Sequence, residues 1–163
     1  MKHHRFSQSE RGFTLPEVLI VIVLMGIVFA IASSSWFGMI ESRRVDSATN
    51  QMVSDLRRAH TSATNRLQNW QVDPIVNTGN YRIGPCVAPC AAPLPLSSPS
   101  RTLEEGTLFK PPESVARVVF KPDGTAQITG TGNIKVAAAD GSPCQEIEVN
   151  TVTSRIKVSG NVC

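Results

Sequence analysis

The sequence of 163 residues predicts an α+β fold in which one long N-terminal helix packs, through its second half, on an antiparallel β-sheet. Three observations support this. No residue from Val18 to Ala32 has a polar side chain, and the apolar positions beyond residue 44 recur at helical spacing. Beyond about residue 80, short runs typical of β-strands alternate with turns rich in Gly, Pro, Asp and Ser. The length suits one small domain and excludes a large two-domain enzyme.

The charge is concentrated in a basic leader. The net charge is +3, but residues 1–12 contain Lys2, Arg5 and Arg11 and a single acid, Glu10, so residues 13–163 carry +1. Such a balance gives little indication of the concentrated basic face that general nucleic-acid binding requires. The apolar segment that follows argues against a wholly cytosolic protein.

Residues 13–40 are expected to form the apolar first half of the helix. The ~23 residues from 18 to 40 would span roughly 30 Å or slightly more, the thickness of a bilayer core. The basic leader predicts a cytoplasmic N-terminus, with the bulk of the chain outside. Three interpretations stay open: a secretory signal cleaved near residues 30–32, a plain signal anchor, and a segment in which Glu17 has a function. A carboxylate in an apolar segment costs on the order of a few kcal/mol unless it is paired.

The residues around Glu17 resemble the class III signal of type IV pilins and type II secretion pseudopilins. The sequence RGFTLPE at residues 11–17 precedes an apolar run that contains Gly26. In that family a prepilin peptidase cuts after the glycine and methylates the new N-terminus. The resemblance therefore implies cleavage between Gly12 and Phe13, N-methylation of Phe13, and a 1–12 leader that is removed. It also implies that Glu17 pairs with the Phe13 amine of a neighbouring subunit, which neutralises a charge otherwise stranded in an apolar filament core.

Residues 41–70 are predicted to continue the helix as an exposed amphipathic half. Its apolar positions are separated by steps of three and four residues. They are Val45, Ala48, Met52, Leu56, Ala59, Ala63, Leu67 and Trp70. Pro74 and the NTGN cluster at residues 77–80 are expected to end the helix. We interpret the stripe as the face that packs on the sheet; a coiled-coil partner is the weaker alternative, because many stripe positions are alanine.

Residues 71–163 are predicted to form a β-rich globular head. The expected strands are Tyr81–Ile83, Thr107–Lys110, Val115–Lys121, Thr125–Thr129, Asn133–Ala138, Glu146–Asn150 and Arg155–Val158. The PDG sequence at residues 122–124 predicts a turn between two of them. Residues 84–100 are rich in Pro, Ala and Ser without periodicity, which indicates a long surface loop.

The head sequence resembles the GspH/FimT type of minor pilin in three short motifs. These are DLRRA at residues 55–59 with the later Ala63, FKPDG at 120–124, and RIKV at 155–158. The resemblance implies a minor pilin or pseudopilin built into a type IV pilus as an assembly or tip subunit. Its partners would be prepilin peptidase, other pilins or pseudopilins and inner-membrane assembly machinery. The precursor would be a single-pass inner-membrane protein with a periplasmic or extracellular head, and the mature subunit part of a pilus or pseudopilus at the cell surface.

Two alternative functions stay open within this family. One is a type II secretion pseudopilin that drives protein export. The other is a DNA-binding minor pilin for natural transformation, because some FimT-like proteins carry a Gly-Arg-x-Arg motif where this chain has SRIK at residues 154–157. Arg155 and Lys157 would share one face and contact phosphates. The competing interpretation is that they pair with Glu146 and Glu148 across a hairpin.

The four cysteines all lie in the part predicted to be outside, where disulfides persist. Four cysteines allow three pairings. We favour Cys144–Cys163, because both flank the open end of the last predicted hairpin, with Cys86–Cys90 closing a small loop between prolines. The spacing matches no zinc ribbon, so no metal is expected.

No catalytic motif is found, so we expect neither enzymatic activity nor a cofactor. The sequence has no G-x-S-x-G, no Walker glycine loop and no H-E-x-x-H. The acidic pair Glu104-Glu105 lies in a turn-like region and is interpreted as solvated rather than catalytic.

Overall fold

The computed structural model of the protein describes residues 13–110, 117–130 and 133–160. The chain divides into two compact units, one up to Gly38 and the other from Met39 onward. Helix α1, Leu15–Arg66, contributes to both units. In the first unit its segment Leu15–Ala32 is not buried by the described residues, whereas in the second unit the helix forms part of a core.

In the described part of the chain, nine strands follow the helix and are arranged in two antiparallel sheets. They are β1 (Trp70–Pro74), β2 (Asn80–Pro85), β3 (Ser100–Thr102), β4 (Thr107–Phe109), β5 (Arg117–Phe120), β6 (Ala126–Thr129), β7 (Ile134–Ala138), β8 (Cys144–Val149) and β9 (Ile156–Gly160). The first sheet has the order β3-β2-β1-β5-β6 and the second β4-β7-β8-β9. The prediction of an α+β fold with antiparallel pairing is confirmed, but there are two sheets rather than one.

One face of α1 supplies much of the core of the head. Six of the eight predicted stripe positions are buried: Val45, Ala48, Met52, Leu56, Ala59 and Ala63. All of them except Val45 pack in one cluster with strand residues from both sheets, among them Val72, Tyr81, Phe109, Phe120, Ile134 and Ile147. The stripe is therefore the face that packs on the sheets, as predicted from its period.

The predicted end of the helix at residue 70 is wrong by four residues. Helix α1 ends at Arg66, and Leu67 adopts a left-handed backbone with φ 52° and is exposed. The Gln68 N–H donates to the Ala63 carbonyl oxygen (3.3 Å), a bond typical of a helix C-terminus. Trp70 continues the helical period by coincidence, because it opens β1. That strand pairs on one side with β2 and on the other with β5.

The strands β1 and β3 were not predicted, whereas the other seven coincide with predicted runs to within a few residues. The run Val115–Lys121 begins outside the described residues. The predicted turn at residues 122–124 joins β5 to β6, with Gly124 at φ 83°, a backbone that favours glycine. Asp123 Oδ1 accepts hydrogen bonds from the Thr125 hydroxyl (2.6 Å) and the Thr125 N–H (2.9 Å), which lower the pKa of Asp123.

Candidate processing and assembly site

The N-terminal end of α1 places one carboxylate at the start of an apolar helix. The Thr14 carbonyl oxygen accepts the N–H groups of Glu17 (3.0 Å) and Val18 (3.2 Å), which begins the helical hydrogen bonding. Pro16 lies in the first turn, where its missing N–H costs no hydrogen bond. Glu17 lies in the same turn, where a negative charge is favoured by the helix dipole.

Phe13 precedes the helix and is 82% exposed. Gly12 and the rest of the leader lie outside the described residues, so cleavage before Phe13 and its methylation stay predictions. Glu17 is exposed as well. Among the described residues, no side chain hydrogen-bonds or forms an ion pair with its carboxylate.

The helix beyond Glu17 is apolar on all sides. The segment Leu15–Ala32 has a mean hydropathy of 2.7 and is long and apolar enough to cross a membrane, and none of it is buried within the chain. A helix that is apolar all round requires an apolar environment. The described part of the chain buries none of this segment, so its surface suits lipid or the apolar helices of other proteins.

Within the head, Asp55 connects the helix to the first sheet. The Asp55 side chain is almost fully buried. It accepts a hydrogen bond from the Tyr81 hydroxyl on β2 and forms an ion pair with Arg101 on β3 (Nη1–Oδ1 2.9 Å). Gln51 donates to the Thr102 carbonyl oxygen (3.0 Å), one helical turn away. Burial, and then the hydrogen bond to Asp55, raise the pKa of the Tyr81 hydroxyl.

A second buried carboxylate, Asp73 on β1, anchors the loop between β2 and β3. Asp73 Oδ1 accepts from Arg117 Nε (2.7 Å) and from Gln71 Nε2 (2.9 Å). The same two side chains reach the loop: Arg117 Nη1 donates to the Ala91 carbonyl oxygen (2.8 Å) and Gln71 Nε2 to that of Ala92 (3.0 Å). Side-chain hydrogen bonds from the strands thus hold the irregular segment predicted at residues 84–100 against the sheet.

The same loop contains the Cys86–Cys90 disulfide, which confirms that predicted pair. Cys90 and Leu94 face inward and are buried, whereas Val87 and Leu96 are exposed. The interpretation of this segment as a surface loop is therefore only partly right, because its inward residues join the packed head.

The second predicted disulfide falls partly outside the described residues. Cys144 is buried at the start of β8. Cys163 is not among the described residues, so its pairing with Cys144 stays a prediction.

The last hairpin pairs β8 with β9 in a register that places only one of the two predicted acids opposite a basic residue. Lys157 lies directly opposite Glu148, but Glu146 lies opposite Ser159 and accepts from Asn133 Nδ2 (2.9 Å). The predicted pairing of Glu146 with Arg155 or Lys157 is therefore wrong. Arg155 and Lys157 are exposed, and in the described part of the chain neither lies within ion-pair distance of a carboxylate. Their contact with DNA stays a prediction.

The charges that organise the head were missed in the sequence, although a weak signal existed. Asp73 and Arg117 each border a short run that pairs in the sheet centre, the largely apolar WQV before Asp73 and the apolar VVF after Arg117. A charge bordering such a run, with a possible opposite partner, indicates a buried pair. In the described ranges no three His, Cys, Asp or Glu side chains are grouped as metal ligands would be.

Comparison with protein families matches both parts of the chain. Residues 7–33 match the prokaryotic N-terminal methylation motif. Residues 48–153, more than half of the chain, match the family described as type II transport protein GspH. No curated protein matches the chain significantly in sequence.

Two solved structures share the fold. The minor pseudopilin EpsH from the type 2 secretion system of Vibrio cholerae has a TM-score of 0.51 at 11% identity, with 72% of this chain and 97% of EpsH covered. The type IV minor pilin FimU of Pseudomonas aeruginosa PAO1 has a TM-score of 0.53 at 15% identity, with 76% and 93% covered. Members of this family are structural subunits that assemble with other pilins and are handled by the prepilin processing machinery. The chain belongs to the GspH family and is a minor pilin or pseudopilin.

Proposed function

We propose that this chain is a non-enzymatic filament subunit that is made as a membrane-anchored precursor. Prepilin peptidase removes residues 1–12 and methylates Phe13, the helix of residues 13–40 leaves the membrane with other subunits, and the head stays on the outer side. The filament is a type IV pilus or the related pseudopilus of type II secretion. The observation that carries the proposal is the apolar segment Leu15–Ala32, which is unburied within the chain and bears one carboxylate, Glu17, in its first turn.

The chemistry of Glu17 explains how such a helix enters a filament. In the membrane the carboxylate lies near the interface, one turn from the new N-terminal amine of Phe13. In the filament core both charges would be desolvated, so each has to find an opposite charge. The amine of one subunit and the carboxylate of its neighbour supply that pair and set the axial offset between adjacent subunits.

Mass spectrometry of the N-terminus tests the processing step. The full chain is expressed in cells with and without an active prepilin peptidase, and the membrane fraction is digested and analysed. We expect N-methylated Phe13 only when the peptidase is present, and the intact leader otherwise. A Gly12→Leu variant should retain the leader in both strains. An N-terminus at Ser33 would contradict the proposal and support a secretory signal.

The machine is identified by a deletion phenotype. In a host with both systems, loss of the chain reduces either pilus-dependent motility or the export of type II substrates. Gene neighbourhood gives the same answer independently, since pilus-assembly, competence and secretion genes are distinct sets.

DNA uptake is a second candidate for the same scaffold, supported by the exposure of Arg155 and Lys157 and by the absence of described ion-pair partners. A gel-shift titration with short duplex DNA compares the full chain with an Arg155→Ala/Lys157→Ala variant and with an Arg43→Ala/Arg44→Ala control. Binding that is lost only in the first variant supports this role. No binding by the parent, or equal binding by all three, rejects it.

A further inference from the structure

The two sheets have four outer edges, and three of them are contacted by other segments of the head. At β3 the Thr102 carbonyl oxygen accepts from the Gln51 side chain (3.0 Å). At β4 the Phe109 backbone exchanges hydrogen bonds with Asn77 and Thr78 (3.0 Å each). At β6 the Ala126 N–H donates to the Thr151 carbonyl oxygen (2.9 Å). These contacts close or shorten the edges, as globular proteins commonly do.

The remaining edge, β9, has no such contact within the described part of the chain. The Asn150 N–H donates to the Arg155 carbonyl oxygen (2.9 Å), so the backbone of Arg155 is directed toward β8. Because hydrogen-bonded and non-hydrogen-bonded pairs alternate in an antiparallel ladder, Lys157 and Ser159 are also directed toward β8. The backbone N–H and C=O groups of Ile156, Val158 and Gly160 therefore point away from the sheet.

The side chains along β9 define what could pair there. Ile156 packs against the core, and Val158 on the same side is 42% exposed, so an added strand would cover its remaining apolar surface. Lys157, on the opposite side, is the only charged residue within β9. A strand beside β9 would place a side chain within about 5 Å of it, where a carboxylate is favoured and a cation disfavoured.

The same charge disfavours a second copy of this chain as the occupant. Antiparallel pairing of two β9 strands would bring Lys157 and Arg155 of both copies to one face of the joined sheet. Like charges at such positions destabilise strand pairing, and an edge lysine is a common guard against self-association.

We propose that β9 is a docking edge for an extended segment of another protein, with apolar residues beside Val158 and a carboxylate beside Lys157. The segment adds as a fifth strand to the sheet β4-β7-β8-β9. Its main-chain hydrogen bonds to Val158 and the flanking positions supply affinity, and the alternating side chains supply specificity. This inference does not depend on processing at Gly12 or on the identity of the filament.

Peptide binding to the full chain in detergent micelles tests the proposal. The probes are two short fluorescent peptides, one alternating valine with glutamate and the other alternating valine with lysine. By fluorescence anisotropy we expect the acidic peptide to bind at least about tenfold more tightly than the basic one. Hydrogen exchange should slow at the amides of Ile156, Val158 and Gly160 only when the acidic peptide is present.

Two variants separate strand addition from simple charge attraction. Val158→Pro removes an N–H that points away from β8, so the β8–β9 pairing loses no bond while binding of the acidic peptide falls about tenfold or more. Lys157→Glu, at an exposed side chain, should reverse the preference between the peptides without affecting folding.

Three outcomes would overturn the proposal. The first is unchanged binding of the acidic peptide by Val158→Pro. That result would mean that the basic side chains attract any polyanion, duplex DNA included, without strand addition. The second is an unaltered preference in Lys157→Glu. The third is concentration-dependent self-association that protects the same three amides in the absence of peptide.

Discussion

The two halves of α1 belong to one helix but differ in how far their apolar side chains are buried within this chain. In the first half, Leu15–Ala32, no part is buried within the chain. In the second half, a stripe from Val45 to Ala63 is buried against two sheets, and the opposite face is polar. The described part of this chain therefore covers the apolar face of the second half but not that of the first half. Changes in the two halves should therefore affect different measurements.

The largest expected effect is on assembly. Glu17→Ala removes the only carboxylate of the first half and, in the proposed filament, would leave a neighbouring amine unpaired, which costs on the order of 3–5 kcal/mol. We expect cleavage and membrane insertion to persist while recovery of the chain in sheared filaments falls below detection. Glu41→Ala, a charge removal on the same helix within the head, is the matched control and should assemble normally. Normal assembly of Glu17→Ala would show that the two halves do not differ in this way.

The next effect concerns the stability of the head. Leu56→Ala deletes a fully buried side chain of the second half and should lower the free energy of unfolding by about 2–5 kcal/mol. Leu24→Ala is the same substitution at a position that is 56% exposed in the first half, and should leave that free energy unchanged. Urea denaturation of both variants in detergent micelles, followed by tryptophan fluorescence, measures the difference. Equal losses would contradict the assignment of the core to the second half alone.

A smaller effect separates the two ion pairs of the head. The Arg117 side chain is 17% exposed and bonds both Asp73 and the loop, whereas the Arg101 side chain is 39% exposed and, among the described residues, bonds Asp55 only. Arg117→Ala should cost about 3 kcal/mol, because it leaves Asp73 buried with less compensation. Arg101→Ala should cost somewhat less, about 1–3 kcal/mol, because Arg101 is the more exposed arginine, although this change also leaves a buried carboxylate, Asp55, with one partner fewer. The same denaturation assay applies, and faster hydrogen exchange in residues 86–99 is expected only for Arg117→Ala.

The smallest expected effect is a pH dependence at Tyr81. Burial and the hydrogen bond to Asp55 raise the pKa of its hydroxyl above the ordinary value of 10.0. Because the folded pKa exceeds the unfolded one, this stabilisation is complete below about pH 10 and decreases as the pH rises above that value. Tyr81→Phe should lack this alkaline loss.

The titration itself can be followed directly, because Tyr81 is the only tyrosine in the chain. In the folded protein, absorbance at the phenolate band should increase only at pH values well above 10. Once the chain is unfolded in urea, the increase should occur near pH 10. A folded-state midpoint near pH 10 would mean that the hydroxyl is not held against Asp55 as described.

Much of the fold could be predicted because the relevant signals are local. The period of three and four residues identified six buried positions on α1, and the PDG sequence identified the turn at residues 122–124. The candidate site at Phe13 and Glu17 was found from seven contiguous residues. The predicted helix end is wrong because Trp70 fits the helical period, whereas its backbone pairs with β2 and β5. No window of sequence around Trp70 contains those partners.

The apolar segment, the position of its one carboxylate and the buried face of the helix can be derived from the sequence alone, since each follows from composition and spacing along a single element. Three-dimensional packing establishes which charges are buried together and which strand edge the described residues leave uncovered. The partners Asp73 and Arg117 are 44 residues apart, and Asp55 and Arg101 are 46 apart. Strand order and register bring such groups together, and the energy of a buried pair depends on that proximity rather than on the residues alone.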